Sequence, residues 1–287
     1  TVNGTQVSYS GPTAWGYRRF ILHYAHLCAA AGGVSGFCIG SEMRALTQIR
    51  GAGNSFPAVD ALIQLAADVR AILGPTCKIS YAADWSEYHG YQPAGTEDKL
   101  FHLDPLWADP NIDFIGVDNY MPLSDWRDGE THADVDAGAI YNLDYLRGNV
   151  AGGEGYDWYY PSPEARAAQR RIPITDGLGE PWVWRYKDFK GWWENPHHNR
   201  VGGVRDTSPT AWIPQSKPIW FTEFGCAAID KGANQPNKFP DPKSSESQLP
   251  HYSNGNRDDF MQMQYLRAVY GHFGDATNNP VSAAYGA

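Results

Sequence analysis

Four short apolar runs in this chain each end on a polar side chain, and that pattern constrains the fold more than any other feature. The run "KPIWFTEFGC", residues 217 to 226, reads as a buried strand until Glu223 interrupts it, and "GVSGFCIGSEM", residues 33 to 43, is apolar until Glu42. "KISYAADWSEY" reaches Asp84 and "NIDFIGVDNYMPL" reaches Asp118 and Tyr120 in the same way. A charge at the end of an apolar strand costs roughly several kcal/mol if it is desolvated and unpaired. Each carboxylate therefore needs a partner or a cleft.

The segments between these runs have helical spacing. Residues 13 to 31 place Tyr17, Ile21, Tyr24 and Cys28 on one stripe, with Thr13 as the expected N-cap and Gly32 and Gly33 as the stop. Pro57 and Gly74 bracket a second helix carrying Leu62, Ile63, Ala66, Val69 and Leu73, in the usual order of proline at the start and glycine after the end. Shorter helical patterns cover about 97 to 107, with Leu100, Leu103 and Leu106, and about 257 to 272, with Phe260, Met263, Leu266 and Tyr270. Strands alternating with helices imply parallel βαβ units. Residues 36 to 42, 78 to 84, 112 to 120 and 217 to 223 are thus expected to be neighbouring parallel strands in sequence order. The stretches 124 to 216 and 227 to 256 break the rhythm. They are expected to be excursions built from short elements, leaving the C-terminal ends of their strands to wall a site.

Period-two alternation orients the strands. Ile115 and Val117, Ile79 and Tyr81, and Phe37 and Ile39 fall on the side that helices cover. Gly116, Asp118 and Tyr120, then Ser80, Ala82 and Asp84, then Cys38, Gly40 and Glu42 fall on the other. Placing Glu223 inward sends Trp220 outward as helix packing. A crowded interior of small residues with a polar rim suits a barrel, and no GxGxxG or phosphate-loop pattern supports an open nucleotide-binding sheet. The expected fold is α/β, a (β/α)8 TIM-barrel-like architecture that is partial in this chain, with large βα-loop insertions, spanning residues 1 to 287.

Composition excludes several classes. A net charge of −9 leaves no basic footprint for nucleic acid. No apolar run reaches the length of a membrane span, so neither a nucleic-acid partner nor a span is expected. Cys28, Cys38, Cys77 and Cys226 lack CxxC spacing and read as reduced core thiols rather than zinc ligands, so no metal or cofactor is expected. The 11 Trp and 17 Tyr suit a cleft lined by flat rings, with Trp126, Trp158 and Trp193 as candidates for sugar stacking.

Two rim carboxylates on separate strands meet a requirement of glycoside hydrolysis, in which one protonates the leaving oxygen and the other attacks or activates water. The order of the Glu42, Asp84, Asp118/Tyr120 and Glu223 strands resembles strands four to seven of the clan of retaining (β/α)8 glycoside hydrolases, which carry the acid/base Glu on strand four and the nucleophile on strand seven. The phrases "GSEMRALTQIRG", "KISYAADWSEYHGYQP", "IDFIGVDNYMPLSDWRDG", "GGEGYDWYY" and "KPIWFTEFGC" resemble a narrower family, the glycoside-hydrolase TIM-barrel-like domain of gene transfer agent and phage tail tip or hub proteins.

That resemblance implies Glu42 as acid/base and Glu223 as nucleophile, with Ser41, Asp84, Trp85, Asp118, Asn119, Tyr120 and Trp126 lining the substrate cleft. It implies a bacterial envelope polysaccharide or peptidoglycan and other tail proteins as partners. It also implies a home in a phage or gene-transfer-agent tail particle made in the bacterial cytoplasm. Two departures stand out. The clan's Asn before the acid/base Glu is Ser41 here, and patterns for strands one to three and most of strand eight are lacking, the sequence ending in "NNPVSAAYGA". A catalytically silent barrel serving tail assembly or glycan adhesion is the alternative. A metal-dependent hydrolase using His197, His198, Asp84 and Asp118 is a third reading.

Overall fold

The computed structural model describes residues 2–279 apart from 5, 12 and 14. The main sheet has four strands, β1 (Gly36–Ser41), β2 (Lys78–Asp84), β3 (Ile115–Asn119) and β4 (Ile219–Phe224), ordered β4-β3-β2-β1. The expected sequence order in space is therefore met. β1 and β2 pair in parallel, as do β2 and β3, and the Ile115 amide donates to the Pro218 carbonyl at 2.8 Å. From residue 280 onward the closing segment lies outside the described residues.

The chain divides into two compact units, residues 1–118 with 196–222 and residues 119–195 with 223–287. In the first unit, helix α1 (Tyr17–Ala30) packs on helix α2 (Pro57–Leu73), and α2 packs on β1 and β2. α2 is built as its sequence dictates, with Pro57 in the first turn, Gly74 at the C-cap with φ 78°, and Val59, Leu62, Leu65, Ala66 and Val69 buried. α1 begins later than expected. Gly16 rather than Thr13 is its N-cap, and Ile21 and Ala25 form the buried stripe while Tyr17 and Tyr24 are exposed. The expected helix near 97 to 107 shrinks to α3 (Asp104–Ala108), although Leu100, Leu103 and Leu106 are all buried. Tyr91 and Leu100 form a bridge there, as do Lys99 and Arg200, so the residues before α3 follow an extended path.

Packing density across the sheet rests on small residues. A Cβ added at Gly116 would meet the Tyr81 carbonyl at 2.5 Å and the Ala82 Cα at 3.2 Å, both backbone atoms that cannot swing away. Ile39, Ile79, Ile115 and Val117 are fully buried, as the alternation requires. Trp220 is exposed and stacks on Phe114, with ring centroids 4.1 Å apart. The cysteines depart from expectation, since Cys77 and Cys226 are buried but Cys28 is half-buried and Cys38 exposed, near the start of edge strand β1.

In the second unit the first excursion forms short helices at Leu143–Gly148, Pro163–Ala167 and Phe189–Glu194 and a hairpin pairing Trp158–Tyr159 with Ile172–Pro173. Helix α4 (Asp259–Phe273) buries Met261, Gln264, Tyr265, Ala268 and Val269. The expected face was the other one, for Phe260, Met263 and Tyr270 are exposed. Polar bonds select the buried face, because Tyr265 donates to the Met121 carbonyl at 2.8 Å and Gln264 to the Tyr141 carbonyl at 2.6 Å.

Gly116→Ala is expected to destabilise the fold by roughly 1–3 kcal/mol through overpacking. Gly177→Ala, where an added Cβ meets nothing within 4 Å, should be close to neutral. Denaturant midpoints measure both, and equal midpoints would contradict the packing account.

Candidate functional site

The residues singled out in the sequence fall in both units. Ser41, Glu42, Asp84, Trp85 and Asp118 belong to the first, and Asn119, Tyr120, Trp126 and Glu223 to the second.

In the first unit the parallel ladder of β1 and β2 is irregular between Cys38 and Ser41, so that Cys38 pairs with Ser80 and Ser41 with Ala82. The bulge reverses the parity expected for the end of β1, placing Ser41 rather than Gly40 in register with Ala82. Ala82 carries only a methyl group. The Ser41 hydroxyl therefore reaches across β2 and donates to Asp118 Oδ2 at 3.1 Å. Thr222 of β4 donates to Asp118 Oδ1 at 2.5 Å. Asp118 is fully buried, and these hydroxyls supply donors that its carboxylate needs away from water.

Glu42 follows the bulge as an exposed residue with φ 51°. Left-handed backbone is costly for a residue with a Cβ, by roughly 1–2 kcal/mol. The conformation is held from both sides. The Glu42 amide donates to the Ala82 carbonyl at 2.8 Å and the Met43 amide to the Tyr81 hydroxyl at 2.7 Å. Asp84 is turned to a local task, accepting from the Ser86 amide at 2.8 Å and from the Ser86 hydroxyl. Trp85 is half-buried, its amide donating to the Asp118 carbonyl at 3.1 Å.

Sequence reasoning missed Glu87. It is fully buried and accepts from Tyr81 at 3.0 Å, from the Asp84 amide at 3.3 Å and from the Thr47 hydroxyl. Burial raises its pKa from 4.5 to about 7, with the Asp84 charge adding to the rise and the three donors opposing it. The available signal was its place three residues after Asp84, one helical turn beyond a strand end.

In the second unit Glu223 is exposed and accepts from the Tyr120 hydroxyl at 2.8 Å. The Tyr120 ring meets Phe239 of the second excursion edge-on at 5.6 Å. Asn119 is buried, its side-chain oxygen accepting from the Met121 amide at 3.3 Å. Trp126 is half-buried against His132 and Tyr145.

Asn234, also missed, joins the two excursions. It accepts from Ser124 at 2.6 Å and from the Trp126 amide at 2.9 Å, and donates to the Trp126 carbonyl at 2.8 Å and the His251 carbonyl at 3.0 Å. One stacking candidate is corrected and a second is partly covered. Trp193 is 2% exposed and cannot present a face to a sugar. One face of Trp158 is covered by the Arg171 guanidinium, 4.1 Å from the ring centroid.

The histidines of the metal reading are dispersed. His197 is buried, its Nδ1 2.9 Å from Asp104, between the rings of Phe101 and Trp212, while His198 Nδ1 lies 2.8 Å from the Asp206 carbonyl. Among the described residues no group of three or more His, Cys, Asp or Glu is placed to hold a metal ion, and no helix is long and apolar enough to cross a membrane.

Residues 15–287 match the GTA TIM-barrel-like domain family. The chain belongs to that family. A GTA TIM-barrel-like domain is what the parallel sheet and its helices build here, and the family resemblance seen in the sequence holds. Among solved structures the chain is similar to the GH113 beta-mannanase AaManA from Alicyclobacillus acidocaldarius, in complex with ManMIm, at 15% identity and a TM-score of 0.40. The likeness covers 89% of this chain and 45% of the mannanase chain, so the domain spans less than half the length of that protein. No curated protein matches the chain.

Two predictions test the first unit. Glu42→Gly should be more stable than Glu42→Ala by about 1 kcal/mol, because only glycine relieves the left-handed strain; equal stabilities in chemical denaturation would remove the strain argument. The second concerns pH. Because folding raises the Glu87 pKa, the stability it contributes is fully present below about 4.5 and is lost as pH rises through about 7. The stability of the wild type relative to Glu87→Gln should therefore fall by up to roughly 3 kcal/mol between pH 4.5 and 8. Parallel stability curves would show that Glu87 does not titrate in this range.

Proposed function

We propose that this domain is a retaining glycoside hydrolase module of a phage or gene-transfer-agent tail protein, cleaving a bacterial envelope polysaccharide or peptidoglycan. Glu223 is its nucleophile and Glu42 its acid/base. The observation that carries the reading is the hydrogen bond from Tyr120 to Glu223 at 2.8 Å. A phenol donating to a carboxylate fixes its orientation, a property a glycosidic nucleophile needs.

The backbone of Glu42 supports the partner role, since a left-handed non-glycine residue at a strand end is the kind of strain that collects at functional sites. In this mechanism Glu42 protonates the departing glycosidic oxygen while Glu223 attacks the anomeric carbon; Glu42 then removes a proton from the water that releases the sugar. The excursions after β3 and β4 would wall the cleft, with Trp126 and the open face of Trp158 as stacking candidates. Other tail proteins would hold the module in the particle, assembled in the bacterial cytoplasm.

A second reading, a silent barrel kept for assembly or glycan adhesion, draws on Ser41. The clan's Asn at this position bonds the sugar 2-hydroxyl, whereas the shorter Ser41 is engaged with Asp118. A glycan and peptidoglycan digestion screen on the full-length protein separates the two. Glu223→Gln should abolish turnover, by roughly a thousandfold or more, with folding and glycan binding nearly intact. Glu42→Gln should slow hydrolysis less for substrates with good leaving groups, which need little protonation. Full activity in Glu223→Gln refutes the nucleophile; no cleavage by the wild type, with assembly tolerating both substitutions, establishes the silent module.

A further inference from the structure

The turn presenting Glu42 is tied to a buried side-chain relay. Tyr81 and Glu87 are fully buried, as is Thr47. The Tyr81 hydroxyl accepts from the Met43 amide at 2.7 Å. Its own proton is therefore directed to Glu87, whose oxygens lie 3.0 and 3.1 Å away. Glu87 also accepts from Thr47, so the single turn Arg44–Thr47 is bonded near both ends, at Met43 through Tyr81 and at Thr47 directly.

Glycine makes this approach feasible. A Cβ at Gly40 would meet Met43 Cε at 2.6 Å, the Tyr17 hydroxyl at 2.6 Å and Tyr81 Cε2 at 3.2 Å. The Tyr81 ring lies 6.3 Å from Trp107, centroid to centroid, so its hydroxyl is set by packing.

We infer that Tyr81 and Glu87 are positioning residues for Glu42: the Glu87 carboxylate orients the Tyr81 hydroxyl, which holds the Met43 amide and with it the left-handed turn that aims the Glu42 side chain. The role as acid/base rests on the function proposed above; the mechanical role does not. Peptide groups on both sides of the Glu42 Cα are bonded to residues of β2, so φ and ψ are restrained together. Without the Tyr81 acceptor, a residue in a costly conformation loses the restraint on its Met43 side.

The relay holds in either protonation state of Glu87. Burial, with the Asp84 charge adding to it, favours the protonated carboxyl, which still accepts from Tyr81 through its carbonyl oxygen and can donate to Thr47, whose hydroxyl has the Arg44 carbonyl within 3.3 Å as an acceptor.

Amide hydrogen exchange on the full-length protein tests this, read on the peptide covering residues 40–47. Tyr81→Phe keeps the ring in the core and removes only the hydroxyl; it should speed exchange in that peptide roughly five- to tenfold at pH 8 and leave residues 57–73 unchanged. If a glycan is cleaved, Tyr81→Phe should lower kcat roughly ten- to a hundredfold with KM little changed. Unchanged exchange at 40–47 overturns the relay even if Glu42→Gln abolishes turnover. Faster exchange confined to 40–47 supports it even if the protein cleaves no glycan.

Discussion

The buried carboxylate of Asp118 is the constraint on which the sheet's functional end depends. A charge with no exposure is tolerable only where donors surround it. The donors here are hydroxyls of Ser41 and Thr222, on β1 and β4, while Asp118 itself lies on β3. Satisfying one side chain thus sets the C-terminal ends of three strands relative to each other. Ala82 has to be small for Ser41 to reach over β2, and the bulge in β1 has to exist for Ser41 to face that way. The left-handed turn at Glu42 follows directly from the bulge, which links the buried charge to the strained residue.

The two candidate carboxylates are stabilised by different means. Glu42 is placed by backbone geometry, with its own amide and that of Met43 bonded to β2. Glu223 sits in an ordinary strand and is oriented by a side-chain donor, Tyr120. In the second unit Asn234 uses its amide group to hold the backbone around Ser124 and Trp126, and Phe239 abuts the Tyr120 ring. The second excursion is therefore bonded to the start of the first and abuts the residue that orients Glu223, instead of being a loose appendage.

Much of this was legible in the chain. The four strands stand within a few residues of where alternation put them, because a parallel sheet buried on a helix-covered face needs branched apolar residues at every second position. α2 was equally clear, since its caps and its apolar stripe agree. The faces of α1 and α4 were not. In α4 the stripe of Phe260, Met263 and Tyr270 is as apolar as the one that is buried, and only the bonds of Gln264 and Tyr265 to distant carbonyls select between them. Trp193 looked like a cleft aromatic in sequence and is core instead, as nothing in the composition of an irregular segment says which rings face inward.

Sequence by itself determined the α/β class, the strand order, the family and the residue types at the strand ends, because each of these rests on local periodicity or on short phrases read along the chain. Tertiary structure alone decided that β1 carries a bulge, that Glu42 adopts a left-handed conformation, that Glu87 is buried behind it, and that Asn234 ties one excursion to the other. The physical reason is the same in each case. These features are set by hydrogen bonds between residues tens of positions apart, where a donor or acceptor must be satisfied away from water, and no local pattern records which distant partner will satisfy it.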